Sequence, residues 1–239
     1  KVYVNGQEVG YWPYGYNSFY FDITKQLMPG KKNTLAVRLE NLPESSRWYP
    51  GAGLYRNVHV IVTENAHIPV WGTYVTTPTA TKEFAKVNVR TQIVLLEGAD
   101  AGKYSVKTSV WNPNGPKLTE QTIPLSQIKY NDNSLSQEFI IQTPTLWSPD
   151  MPALYSAETR LYEGDQLKDI YTTPFGIRSI EIIPNKGFFL NGEKTVFKGV
   201  CNHHDLGPLG AAVNDAAIRR QIRILKDMGC NAIRTSHNM

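Results

Sequence analysis

Along most of the chain apolar and polar positions alternate with a period of two, and near its end the period lengthens to that of a helix. Residues 1–9 alternate around Asn5-Gly6, a dipeptide that tolerates the positive φ angles of a tight hairpin turn, so two short strands are expected there. Residues 16–23 read as an aromatic-rich strand and Pro29-Gly30 as a turn. In 33–39 Leu35, Val37 and Leu39 share one face, and in 54–62 Val58, Val60 and Val62 do the same. Between these two stretches, 44–53 reads as an irregular loop in which Arg47, Trp48 and Tyr49 precede a Pro-Gly stop. Four or five strands beginning at the first residue would leave an unpaired edge. Earlier strands of the same sandwich are therefore expected to precede the chain.

Short alternating runs recur over 72–77, 85–95, 102–111, 134–142, 154–162 and 166–173. Turn-forming clusters separate them: Glu97-Gly98, Asn112-Pro-Asn-Gly-Pro116, Ser148-Pro-Asp-Met-Pro152 and Glu163-Gly-Asp165. This spacing, without helical periodicity, predicts a sandwich of about seven strands. Trp71, Trp111 and Trp147 are expected in its core or between its sheets.

Near Phe175 the grammar changes. Residues 180–184 and 188–190 flank an Asn185-Lys-Gly187 turn, Asn191-Gly192 marks another hairpin, and 195–200 reads as a strand. From Asn214 the period is helical: Ile218, Ile222, Leu225 and Met228 share a face, Ile224 adjoins it, and Arg219, Arg220, Arg223 and Lys226 lie off it. Asn214 or Asp215 suits the N-cap, and Gly229 suits the C-terminal stop. A second apolar strand then leads into Arg234 and His237. Strand, helix and strand in this order form the crossover unit of a parallel sheet.

Composition narrows the picture. The 25 basic and 21 acidic residues leave a net charge of +4, with no basic run longer than a pair, so a nucleic-acid footprint is not indicated. No stretch approaches 18 consecutive apolar residues, which argues against a membrane helix. Cys201 and Cys230 do not make a disulfide framework.

The polar residues at the two strand ends are the candidate chemistry. In a parallel barrel the C-terminal strand ends form the active face. His203, His204 and Asp205 could bind a metal, exchange protons or hydrogen-bond a hydroxylated ligand. Adjacent histidines on a strand point to opposite sides, which fits a metal poorly. Arg234 in a barrel mouth needs a carboxylate partner, because a buried unpaired guanidinium is costly. The partner is expected to lie in sequence outside the chain, with Asp205 as the one nearby alternative. Trp48 and Tyr49 could stack on the apolar faces of sugar rings. Structural histidines, a rim salt bridge and a packed loop are the alternatives for these groups.

Gly199-Val-Cys-Asn-His-His-Asp205, followed after one helix by Asn231-Ala-Ile-Arg-Thr-Ser-His-Asn238, resembles the start of the catalytic barrel of glycoside hydrolase family 2, most of all its β-galactosidases. Val2-Tyr-Val-Asn-Gly6, Gly15-Tyr-Asn-Ser-Phe19, Asp22-Ile-Thr24 and Arg47-Trp-Tyr-Pro-Gly-Ala-Gly-Leu-Tyr-Arg56 resemble the second half of that family's sugar-binding jelly roll. Trp71-Gly-Thr-Tyr-Val-Thr-Thr77 and Phe175-Gly-Ile-Arg178 resemble the borders of its immunoglobulin-like domain. The resemblance implies a multidomain, mainly β chain: part of a jelly roll over 1–65, an immunoglobulin-like sandwich over 66–176, and the first βαβ unit of a TIM barrel over 177–239.

It also implies roles. His203 and His237 match histidines that contact the sugar, and Arg234 matches an arginine beside the nucleophilic carboxylate. Asp205 falls near the sugar hydroxyls. Asn238, Arg47 and Trp48 are further candidates for substrate contact. The family's retaining reaction uses two Glu carboxylates from later barrel strands, so this piece alone is expected to be inactive. The implied substrate is a terminal β-D-galactoside. The alternatives are a β-glucuronidase, a β-mannosidase or a non-catalytic carbohydrate-binding sandwich. No cofactor is expected, although the full enzyme leaves room for a divalent or monovalent cation. Neither a nucleic acid nor a membrane is expected as partner, and an oligomer stays open for the full-length protein. The expected location is periplasmic or secreted rather than cytoplasmic.

Overall fold

The computed structural model describes residues 1–44, 52–127 and 133–237. The Asn5-Gly6 turn closes the expected hairpin, with φ of 51° and 82° at its two residues. Strand β1 (Val2–Val4) pairs antiparallel with β2 (Gln7–Gly10), and β3 (Leu35–Val37) adds to the other edge of β1, placing Val2 opposite Val37. Val2 and Val4 are buried. The Asn5 amide donates to the Gln26 carbonyl (2.8 Å) and to Asn33 Oδ1 (2.7 Å), while Asn5 Oδ1 accepts from Thr34 N (2.9 Å). The turn is thereby tied to the connection that precedes β3.

Two expected strands do not form. Residues 16–23 and 54–62 have no ladder partner among the described residues. Alternation marks a face, but a strand also needs a neighbour for its backbone N–H and C=O groups. The aromatic side chains of the first stretch pack instead on one another. Trp12 stacks on Phe19 with ring centroids 5.7 Å apart, and Phe19 lies 5.5 Å from Phe21. The Phe21 ring covers Gly10, where a Cβ would collide with it.

Residues 60–196 make a compact unit of their own; residues 1–59 and 197–239 make the other. The first of these contains β4 (Ala66–His67), β5 (Thr73–Ala80), β6 (Phe84–Gln92), β7 (Val94–Leu95), β8 (Tyr104–Trp111) and β9 (Lys117–Pro124). It continues through β10 (Ser134–Gln142), β11 (Tyr155–Glu163) and β12 (Gln166–Phe175). One sheet has the order β10-β6-β5, a second the order β12-β11-β8-β9, and β4 pairs with β7. Inward positions alternate strictly: Ala85, Val87 and Val89 in one sheet, and Val106, Val110, Ala157 and Leu161 in the other, are at most 1% exposed. Each large apolar side chain so buried contributes about 1.5–3 kcal/mol relative to exposure.

A polar layer of Thr108, Gln137 and Thr159 crosses this core, all fully buried. Thr108 donates to Gln137 Oε1 (2.6 Å) and lies 3.3 Å from Thr159 Oγ1, while Gln137 Nε2 donates to the Gln121 carbonyl (2.9 Å). Desolvating these groups is tolerated because they satisfy one another. β9 had no counterpart among the expected strands. It is an edge strand with mostly exposed residues, and Glu120 on it pairs with Lys107 and Lys117. Trp71 departs from the core position expected of it and is 58% exposed. Trp147 is partly buried, with the Arg178 guanidinium 4.7 Å from its ring centroid.

β13 (Ile180–Ile183), β14 (Gly187–Leu190) and β15 (Glu193–Lys194) complete this unit as a small meander. β16 (Gly199–Asn202) starts later than the 195–200 expected for it. The helix α1 (Asp215–Asp227) begins at the predicted cap, with Asn214 Oδ1 accepting from Ala217 N at 2.9 Å, and Gly229 follows it with φ of 86°. Of its apolar stripe Leu225 is buried, whereas Ile218, Ile222 and Met228 are exposed. β17 (Ala232–Thr235) returns parallel to β16, closing a right-sized βαβ unit. The chain is thus mainly β, with one parallel βαβ unit over 199–235. No helix among the described residues is long and apolar enough to cross a membrane.

Candidate active site

The site is built where β16 and β17 end. Their register runs from Gly199 opposite Ala232 to Asn202 opposite Thr235. Glycine is required at the start: a Cβ on residue 199 would fall on the Ala232 carbonyl, 2.8 Å from its carbon. Asn231 pins the same end, because its Oδ1 accepts from Lys198 N (2.8 Å) and its N–H donates to the Lys198 carbonyl (2.9 Å). At the far end Ser236 N donates to the Asn202 carbonyl (2.8 Å), which keeps the strands in step one residue beyond the ladder. The chain segments 201–203 and 234–237 therefore emerge side by side.

Cys201 lies directly across from Arg234. The Arg234 Nη1 donates to Cys201 Sγ (3.6 Å) and to Ser236 Oγ (3.2 Å), and Nη2 lies 3.5 Å from His237 Nδ1. The His237 ring meets the His203 ring edge-on, with centroids 5.3 Å apart and planes at 72°. His204 faces elsewhere, edge-on to Tyr16 at 5.0 Å. The two adjacent histidines diverge, as expected, but both lie beyond the end of β16, so the connecting segment and not strand alternation turns them apart. The Cys201 thiol is held below the ordinary thiol range, first by the hydrogen bond from Arg234 and then by Ser236, against an opposing desolvation effect.

His203, Arg234 and His237 are thus brought together, and Asp205 follows on the segment after β16, partly buried. Asp205 is not the partner of Arg234, whose polar contacts among the described residues are a thiol, a hydroxyl and an imidazole. Arg47, Trp48 and Asn238 lie outside the described residues. Among the described residues no three His, Cys, Asp or Glu side chains gather as metal ligands would. Imidazoles and a guanidinium can hydrogen-bond hydroxyl groups and hold an anion.

Three neighbours escaped the sequence reading: Cys201, Ser236 and Tyr16. The parallel register alone would have placed Cys201 beside Arg234. Ser236 was visible in Arg-Thr-Ser-His but carried no signal of burial, and nothing local links Tyr16 to His204.

The model of "Glycosyl hydrolases family 2" matches residues 66–178, and that of "Glycosyl hydrolases family 2, TIM barrel domain" matches 181–238. The chain is 42% identical over its whole length to "Beta-galactosidase BoGH2A" of Bacteroides ovatus, covering 28% of that protein. It is 38% identical over its whole length to a "Putative beta-glucuronidase" of Formosa agariphila, covering 22% of it. A crystal structure of a glycosyl hydrolase family 2 member from Bacteroides cellulosilyticus superposes on 99% of the chain with a TM-score of 0.92 at 37% identity, over 30% of that chain. A Bacteroides uniformis β-glucuronidase 2, covalently bound to cyclophellitol-6-carboxylate aziridine, does so with a TM-score of 0.82 at 29% identity, again over 99% of this chain and 30% of that one. The chain spans less than a third of the length of each of these relatives.

Proposed function

The chain belongs to glycoside hydrolase family 2, and on that premise we propose that its parent protein is a retaining glycosidase cleaving terminal β-D-galactosides. The observation that carries this reading is the strand-end cluster: His203 and His237 ring to ring, with Arg234 beside them on the parallel partner strand. In a retaining reaction one carboxylate attacks the anomeric carbon and a second, about 5 Å away, protonates the leaving oxygen. We assign both carboxylates to barrel strands outside this chain. His203 and His237 then hydrogen-bond the sugar hydroxyls, Asp205 supports them, and Arg234 holds the nucleophilic carboxylate ionised. Arg47, Trp48 and Asn238 are assigned to substrate contact on the motif alone.

Galactoside is preferred because the relative at 42% identity bears that name. A second reading, cleavage of β-glucuronides, is favoured by the relatives so named at 38% and 29% identity. The test is hydrolysis of a panel of nitrophenyl β-glycosides by the full-length protein. A kcat/KM at least tenfold higher on the β-galactoside supports the first reading, and the reverse ratio on the β-glucuronide replaces it. Residues 1–239 produced alone are expected to hydrolyse none of the panel. Turnover by that material would overturn the assignment of the carboxylates.

A further inference from the structure

We propose that Cys201 and Ser236 are positioning residues, a two-point cradle that fixes the plane in which Arg234 presents its charge to the nucleophile. The proposal rests on the function given above and extends it to two residues outside the motif-derived site. Both acceptors take the same nitrogen. Arg234 Nη1 carries two hydrogens, with Cys201 Sγ at 3.6 Å and Ser236 Oγ at 3.2 Å to receive them. Cys201 lies on β16 and Ser236 just beyond the end of β17, so the guanidinium is held from two segments. Ser236 is 4% exposed and its backbone N–H is bonded to the Asn202 carbonyl, so the hydroxyl is itself anchored. Cys201 is anchored by the ladder, directly across from Arg234.

An arginine that steadies a carboxylate must be both oriented and still fully positive. A carboxylate acceptor would orient it but offset its charge. A hydroxyl and a protonated thiol orient it and leave the charge in place. With Nη1 occupied, Nη2 and Nε remain as the edge of the fork that a carboxylate engages in two parallel hydrogen bonds. Nη2 is also the nitrogen beside His237, so the fork opens toward the imidazole pair rather than away from it.

The experiment uses the full-length protein with Cys201→Ala, Ser236→Ala, the double variant and Cys201→Ser. For the double variant the expected result is a roughly tenfold to hundredfold loss of kcat with KM held within about twofold. The acidic limb of its kcat/KM profile should move up by about half a pH unit, because a loosened cation stabilises the ionised nucleophile less. Cys201→Ser, which keeps an acceptor, should stay within about threefold of wild type. Urea midpoints separate this from a folding defect: a kcat that falls with the midpoint while the acidic limb stays put overturns the proposal. So does a double variant whose crystal structure leaves the guanidinium where it was. An inactive wild type refutes the function itself, whereas an active one with unaltered variants refutes the cradle alone.

Discussion

Gly199→Ala is the sharpest probe of how the strand pair makes the site. The new Cβ would fall on the Ala232 carbonyl oxygen, 2.8 Å from its carbon and 3.3 Å from the Ala232 Cβ. Ordinary contact begins at about 3.5 Å for carbon, and the oxygen lies nearer still than the carbon, so β16 and β17 must part by on the order of 1 Å. The obstacle is backbone, which has no rotamer to yield. Overpacking of this kind costs about 1–3 kcal/mol. The functional effect should be larger than the loss of stability suggests. The same separation is carried up the pair to Cys201 and Arg234, two positions further on. A misplacement of about 1 Å in a positioning group can cost on the order of a hundredfold in rate. The assay is kcat/KM of the full-length protein on the nitrophenyl β-glycoside it cleaves fastest, alongside urea unfolding. An alanine variant with kcat/KM within twofold of wild type and an unchanged midpoint would refute the reasoning, because it would mean the strands do not touch there.

Other predictions test separate links. Gln137→Leu removes the acceptor of Thr108 and the donor to the Gln121 carbonyl, and should lower stability by about 2–4 kcal/mol in urea titration; a loss below 0.5 kcal/mol (the scale of a surface change) would show that the polar layer is dispensable. Asn214→Ala deletes the cap of α1 and should cost about 1 kcal/mol by the same measurement, while Asn214→Ser should recover most of it. Alkylation of Cys201 by iodoacetamide should rise with pH through a midpoint below the usual thiol range, because its depressed pKa leaves more thiolate at a given pH. Arg234→Met should move that midpoint upward, and an unshifted midpoint would deny the hydrogen bond between them.

The features legible in the chain are those settled within a few residues. The Asn5-Gly6 hairpin, the Asn214 cap and the Gly229 stop depend on local dihedral preferences and local donors. Alternation located most sandwich strands, because one face of each had to be buried. Edge strand β9 was invisible for the complementary reason: it buries little, so its residues carry no periodic constraint. Alternation also promised strands at 16–23 and 54–62 that have no ladder neighbour among the described residues, since a pattern names a face but not a partner.

The site divides the same way. His203, Arg234 and His237 announced themselves as polar residues at the ends of apolar strands. Their mutual arrangement did not. Tertiary structure supplied the parallel register that sets Cys201 against Arg234, and it buried Ser236 under the same guanidinium. It also seated Tyr16 on His204 across 188 positions of sequence. Side-chain partners at such separation are selected by packing, and no local preference along the chain encodes which residues packing will bring together.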